Sequence, residues 1–401
     1  MTVGVDRLRE DEEPTQKQAL PAAPGSGLRG FVTLEALRGI AALAVAILHL
    51  ANLRGIFGYD RSHFDLAHAD SVAWFPIYLS VDFFLVLSGF VLSNAYTFPC
   101  GHEGMALRVK FLGYRIARLG PLYIFAAVVM WAVGMCTGTA TSNDPGWTVP
   151  VELFVSVVFC ISFVHRVPAV ALLLVAALMQ AAIASQYALL DLTTLHARTA
   201  PWAVARCACS FILGVAGQKI YVGLPSITDV AAPGGYVGLY ATAAELALFA
   251  GTLYLTFVAY KARYSDFASP WLFAAVVVVF ACSRGALSYV LALAPMFGTI
   301  SYSIYLNQWA VIRLLGQLGF LGGGDVMQAL TMFAVLLPYS FLTYHVVEKP
   351  SNIFLRGRVD RLMGSWFDGT AGATCLAAGD DSDDSTGLTD SPLETRSHGE
   401  P

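Results

Sequence analysis

At neutral pH, histidine is the side chain best suited to take a proton from an alcohol and return it to a leaving group. His49 stands near the end of "LEALRGIAALAVAILHL", residues 34–50, a run apolar enough to sit in a bilayer. The same run opens with Glu35 and Arg38. At about 100° per residue, Glu35, Arg38, Ala42, Ala46 and His49 fall on one stripe, and Arg38 and His49 lie about 16 Å apart along the axis. The small residues between them leave room for a close helix neighbour or for a thin substrate. Ionisable groups at membrane depth are costly and face a cavity or a partner. The plainer account has Arg38 snorkelling to the headgroups and His49 capping the outer end.

Glu152 follows the turn residues of "DPGWTVPVELF". The fourth apolar segment enters from the face at which the first leaves, which predicts similar depths for Glu152 and His49. A carboxylate beside a histidine orients the ring and strengthens it as a base. Arg115 and Arg118 of "RIAR" are one turn apart. They can grip phosphates in a bidentate way, or serve as positive-inside charge or an anionic-lipid site. Asp82 of "SVDFFLVLSGF" can pair with Arg38, and Ser88 lacks the Gly-x-Ser-x-Gly elbow of a nucleophile. Ser301, Tyr305 and Gln308 share a face near the end, and Glu348 precedes Lys349-Pro350. No metal site is expected. "HFDLAHAD", with His63, Asp65, His68 and Asp70, reads as a solvated loop, and the seven scattered cysteines include no CxxC.

The elements that must position these groups are membrane helices. The chain of 401 residues is 56% hydrophobic and 13% charged, with a mean hydropathy of +0.62; a soluble protein has about 25% charged residues. The fold expected is an all-α polytopic membrane bundle of about ten spans, near 31–50, 72–96, 119–138, 147–164, 167–186, 201–221, 235–259, 271–293, 296–318 and 325–347. Fifteen basic residues fall on the side of the termini and five opposite, which predicts both termini in the cytoplasm. Residues 1–30 read as a cytoplasmic segment, 31–352 as the membrane domain, and 353–401 as a largely disordered acidic tail. A net charge of −4 without basic-aromatic clusters gives no reason to expect nucleic acid.

Six motifs in order resemble the acyltransferase 3 family of membrane O-acyltransferases: "LEALRGIAALAVAILH", "VDFFLVLSGF", "RIAR", "WTVPVE", "SYSIYL" and "YHVVEKP". The resemblance spans about residues 31–352. It implies transfer of an acyl group, acetyl first, from cytoplasmic acyl-CoA to a hydroxyl of a carbohydrate or glycosylated small molecule, by a multi-pass protein of the inner membrane. It also implies His49 as catalytic base, Glu152 as its orienting partner, and Arg38, Arg115 and Arg118 as handlers of the acyl-CoA. Gln308 stands where many members carry histidine, and Thr148 and Pro150 replace two serines of the fourth-segment motif. The alternative reading is a multi-pass transporter or a lipid- or glycan-binding membrane protein without transferase activity. Broken midplane helices and inverted repeats would mark a transporter, and neither is evident.

Overall fold

The computed structural model describes residues 31–54, 78–99, 101–138, 144–187, 190, 199–224, 236–258 and 264–378. The segment 1–30, the stretch 63–70 and the tail from 379 lie outside the described residues. Among the described residues all regular structure is helical. The long helices are α1 (Val32–Arg54), α2 (Leu79–Ala95), α3 (His102–Thr137), α4 (Thr148–Ile161), α5 (Ala169–Ala184), α6 (Ala200–Gly223), α7 (Tyr236–Phe257) and α8 (Ser269–Cys282). Two short helices follow, α9 (Ala286–Leu291) and α10 (Pro295–Thr299). Then come α11 (Ser301–Gln317), α12 (Asp325–Thr343) and, through a π-turn at Tyr344–Glu348, α13 (Lys349–Ala378).

Among the described residues six helical stretches are long and apolar enough to cross a membrane, and three more apolar helices are shorter. The chain is thus a multi-pass membrane protein by its helices, and the departures from ten uniform spans are instructive. The segment expected at 147–164 is a helix of only 14 residues, about 21 Å long, against a hydrocarbon core of about 30 Å. The one expected at 271–293 stops at Cys282, where Ser283 adopts φ +49° and the chain turns into α9 and α10. The last span runs on into α13, whose helix reaches into the stretch expected to be unstructured.

Two contacts fix the frame around the site. The first joins α2 to α6, where a Cβ at Gly89 would strike the Phe211 carbonyl and one at Gly214 the Val86 carbonyl. Asp82, Val86 and Gly89 recur at helical spacing, so Asp82 also faces α6. It receives Arg206 at 3.1 and 2.8 Å and Ser210 at 2.8 Å. Arg206 also donates to the carbonyls of Tyr78 and Leu190. The pair is sealed, at 1% and 0% side-chain exposure. The expected Asp82–Arg38 pair is therefore absent, because Asp82 points at α6 rather than at α1.

The second contact joins α1 to α10 and α11. Gly39 and Gly298 bring the backbones of α1 and α10 together, since a Cβ on either would collide with the other helix. Ala42 and Ala46 are fully buried against a cluster containing Ile300, Ile304, Met332 and Leu336. The small residues of the first helix thus admit neighbouring helices, not a thin substrate.

Candidate functional site

A cavity of about 630 Å³ lies among α1, α2, α3, α4, α11 and the α12–α13 junction, within the range of small-molecule sites. Arg38, Arg115 and Arg118 all line it, with Lys349 and Arg356, against the carboxylates Glu35, Glu152 and Glu348. Five cations facing three acids make it a cavity for anions.

Arg38 is fixed by its neighbours. Its Nε donates to Ser301 Oγ at 2.8 Å and its Nη2 to the Gly298 carbonyl at 2.5 Å, so the close α1–α10 approach sets where this guanidinium points. Arg115 is held from the other side: Nη2 meets Glu152 Oε1 at 2.6 Å and Nε donates to Ser156 Oγ at 3.2 Å. Ser88 donates to the same Glu152 oxygen at 2.9 Å. Arg118 lines the cavity near Arg38 and Glu348 and makes no hydrogen bond or ion pair among the described residues. The two arginines of "RIAR" therefore divide: one is already anchored, the other is available to a ligand.

Glu152 does not meet His49, contrary to the expectation from sequence. The antiparallel register of α3 and α4, set by Arg108 Nε on the Cys160 carbonyl at 2.9 Å and by Arg115 on Glu152, puts Thr148 beside the middle of α3. That is about 26 Å short of the end of α3 at Thr137. Pro145 and Gly146, expected at the outer surface, are buried. Tyr302 OH donates to the Leu119 carbonyl at 2.7 Å, which aligns this level with the start of α11. His49 instead packs edge-on to Trp309, ring centroids 5.1 Å apart, seven residues and about 10 Å farther along α11. The recessed start of α4 separates the acid from the histidine.

His49 does not line the cavity, whose wall includes Phe84, Thr148 and Tyr305. The rings of Phe84 and Tyr305 meet edge-on at 5.6 Å, and Tyr305 OH bonds to Thr148 Oγ1 and donates to the Pro145 carbonyl, both at 3.0 Å. Tyr305 and Trp309 are one turn apart on α11, so His49 lies one turn past this closure. Beside it is fully buried Gln308, whose Nε2 donates to the Tyr305 carbonyl at 3.0 Å. Gln308 Oε1 and His49 Nδ1 are both buried without hydrogen-bond partners among the described residues. Such orphaned atoms are uncommon and mark either a strained or a working site.

Sequence reasoning missed Arg206, which reads as one polar residue in an apolar span, and Arg356, which was counted only as positive-inside charge. An arginine inside an apolar run opposite an acid in another run was the available signal for the first. Nothing in the sequence turns Arg356 toward the cavity. Among the described residues no cluster of His, Cys, Asp and Glu can hold a metal.

Residues 31–345 match the acyltransferase 3 family, described as "Acyltransferase domain". A curated relative from Rhizobium radiobacter, "Protein 2 in picA locus", is 37% identical over 106 residues, 26% of this chain and 47% of the relative. The matched region thus spans about half of that relative's length. No solved structure matches.

Proposed function

The chain belongs to the acyltransferase 3 family, and from that premise we propose that it moves an acetyl group from cytoplasmic acetyl-CoA to a hydroxyl of a carbohydrate or glycosylated acceptor, with His49 as general base. The protein acts in the inner membrane with both termini in the cytoplasm, a reading supported by the fifteen-to-five division of basic residues. In that orientation the arginine-lined cavity opens to the cytoplasm, where acyl-CoA is found. This cavity, leading toward the α1–α11 seam that carries His49, is the observation on which the proposal rests.

The donor's phosphates sit among Arg38 and Arg118, and its acyl arm runs along α11. Arg115 keeps its place through Glu152 and forms the cavity wall. The Phe84–Tyr305 ring pair parts to let the thioester reach His49. The acceptor oxygen then attacks the thioester carbonyl while His49 takes the hydroxyl proton. The tetrahedral adduct collapses, the C–S bond breaks, and the proton passes from His49 to the departing sulfur. General-base help of this kind is worth about 100- to 10,000-fold. Gln308, beside the imidazole, orients the ring in place of Glu152.

The test supplies labelled acetyl-CoA to the cytoplasmic face of inside-out vesicles and follows label into products other than CoA thioesters. The unaltered protein transfers label, and His49→Ala at equal abundance does not. Equal transfer by both would remove His49 from the mechanism.

A further inference from the structure

The π-turn and α13 contribute a second set of groups to the cavity. Lys349, Asn352, Ile353 and Arg356 line it at spacings of three, four and seven residues, one face of a helix. They lie beyond residue 345, where the family match ends. Arg356 stands 4.8 Å over the Tyr114 ring, and its Nε is buried without a hydrogen-bond partner among the described residues. One turn earlier, Asn352 Oδ1 is buried and unpartnered as well. An unused donor and an unused acceptor thus share one face of the cavity wall, beside the aromatic rings of Tyr96 and Tyr114.

The face is held firmly. Tyr114 OH donates to Asp360 Oδ1 at 2.5 Å, and Lys110 Nζ reaches the same oxygen at 2.8 Å. Val359 meanwhile packs into the space left by Gly113 of α3. Asp360 is thereby occupied by Lys110 and Tyr114.

Position along the bundle assigns the ligand's end. Ser303 Oγ donates to Glu348 Oε2 at 2.8 Å, which fixes α11 against the π-turn. Arg356 lies eight residues from Glu348 in one direction, and Trp309, against His49, six residues from Ser303 in the other. Together these put Arg356 and His49 about 20 Å apart along the axis. A CoA thioester with its acyl end toward His49 and its diphosphate among Arg38 and Arg118 leaves its 3′-phosphoadenosine at the cavity mouth. Resting on the acyl-CoA reading above, we infer that the α13 face is the subsite for this nucleotide end. Arg356 binds the 3′-phosphate and Asn352 meets the adenine edge, pairings that suit a planar guanidinium and a side-chain amide.

The experiment measures the affinities of CoA and 3′-dephospho-CoA for the full chain in phosphatidylcholine nanodiscs. The unaltered protein prefers CoA about tenfold, the size expected of one charge-assisted hydrogen-bonded pair. In Arg356→Ala the preference falls to within about twofold, and Arg356→Lys, which keeps the charge and the fold of the mouth, lies between. A merely structural arginine would weaken both ligands alike and leave the ratio unmoved, which would overturn the inference while leaving the donor reading intact. Absence of CoA binding by the unaltered protein would overturn both. A change in behaviour of Arg356→Ala seen only in phosphatidylglycerol nanodiscs, with the ratio unmoved, would give the arginine to a lipid phosphate instead.

Discussion

Replacing Glu152 with Gln separates two roles for this acid. In the structure its Oε1 accepts from Arg115 at 2.6 Å and from Ser88 at 2.9 Å, and the Arg115 and Glu152 side chains are 10% and 23% exposed. A hydrogen bond to a charged partner contributes about 1.5–3 kcal/mol, and a neutral one about 0.5–1.5 kcal/mol. Glu152→Gln therefore costs Arg115 about 1–1.5 kcal/mol of anchoring, which converts to a donor KM raised roughly five- to tenfold if Arg115 shapes the donor site. Initial rates in proteoliposomes, with acetyl-CoA varied at a series of pH values, read both quantities. The expected result is a raised donor KM with the pH midpoint of kcat/KM in place, because about 16 Å of depth separates Glu152 from His49. A displaced midpoint with an unchanged donor KM would show that Glu152 acts on His49 after all, and would refute the register argument.

Three further outcomes follow from the packing. Asp82→Ala leaves Arg206 buried and unpaired, at a cost of about 3–5 kcal/mol; thermal unfolding in detergent should show the loss, and Asp82→Leu with Arg206→Met should recover much of it. Gly214→Ala forces α6 away from the Val86 carbonyl and should destabilise by about 1–3 kcal/mol, whereas an unchanged melting temperature would mean that the α2–α6 contact is looser than described. Phe84→Ala removes half of the ring pair closing the cavity and should raise acetyl-CoA hydrolysis relative to transfer, because closed sites suppress side reactions; an unaltered ratio of free acetate to acylated product would show that the rings do not gate the path.

The sequence carried the fold class and the cationic character of the cavity because both follow from local pattern. Long apolar runs announce membrane helices, and Arg38 stands near the start of its apolar run while Arg115 and Arg118 stand just before theirs, whatever the packing. Partner choice depends on register, which local pattern does not contain. Glu152 was expected beside His49 on the assumption that α4 starts at the membrane surface. The 3₁₀ turn at Asp144–Trp147 starts it deep instead. Asp82 was paired with Arg38, the basic residue of the preceding apolar run, whereas glycines at 89 and 214 bring α6 and Arg206 to it. Ala42 and Ala46 were compatible with a substrate path or a helix contact, and the cluster with Ile304 and Met332 decides for the contact. Arg356 reaches the cavity only because α12 continues through the π-turn without a break.

The central claim is that the arginine-lined cavity delivers a thioester to His49. The most direct measurement is a cryo-electron microscopy structure of the full chain in a nanodisc with a non-hydrolysable acetyl-CoA analogue. The account predicts phosphates against Arg38 and Arg118, the Phe84 and Tyr305 rings parted, and space for an acceptor oxygen between the acyl carbon and His49, with reacting atoms about 3–3.5 Å apart. An analogue bound outside the cavity, or one whose acyl group stops at Ser88 and Glu152 with the ring pair still closed, would contradict it.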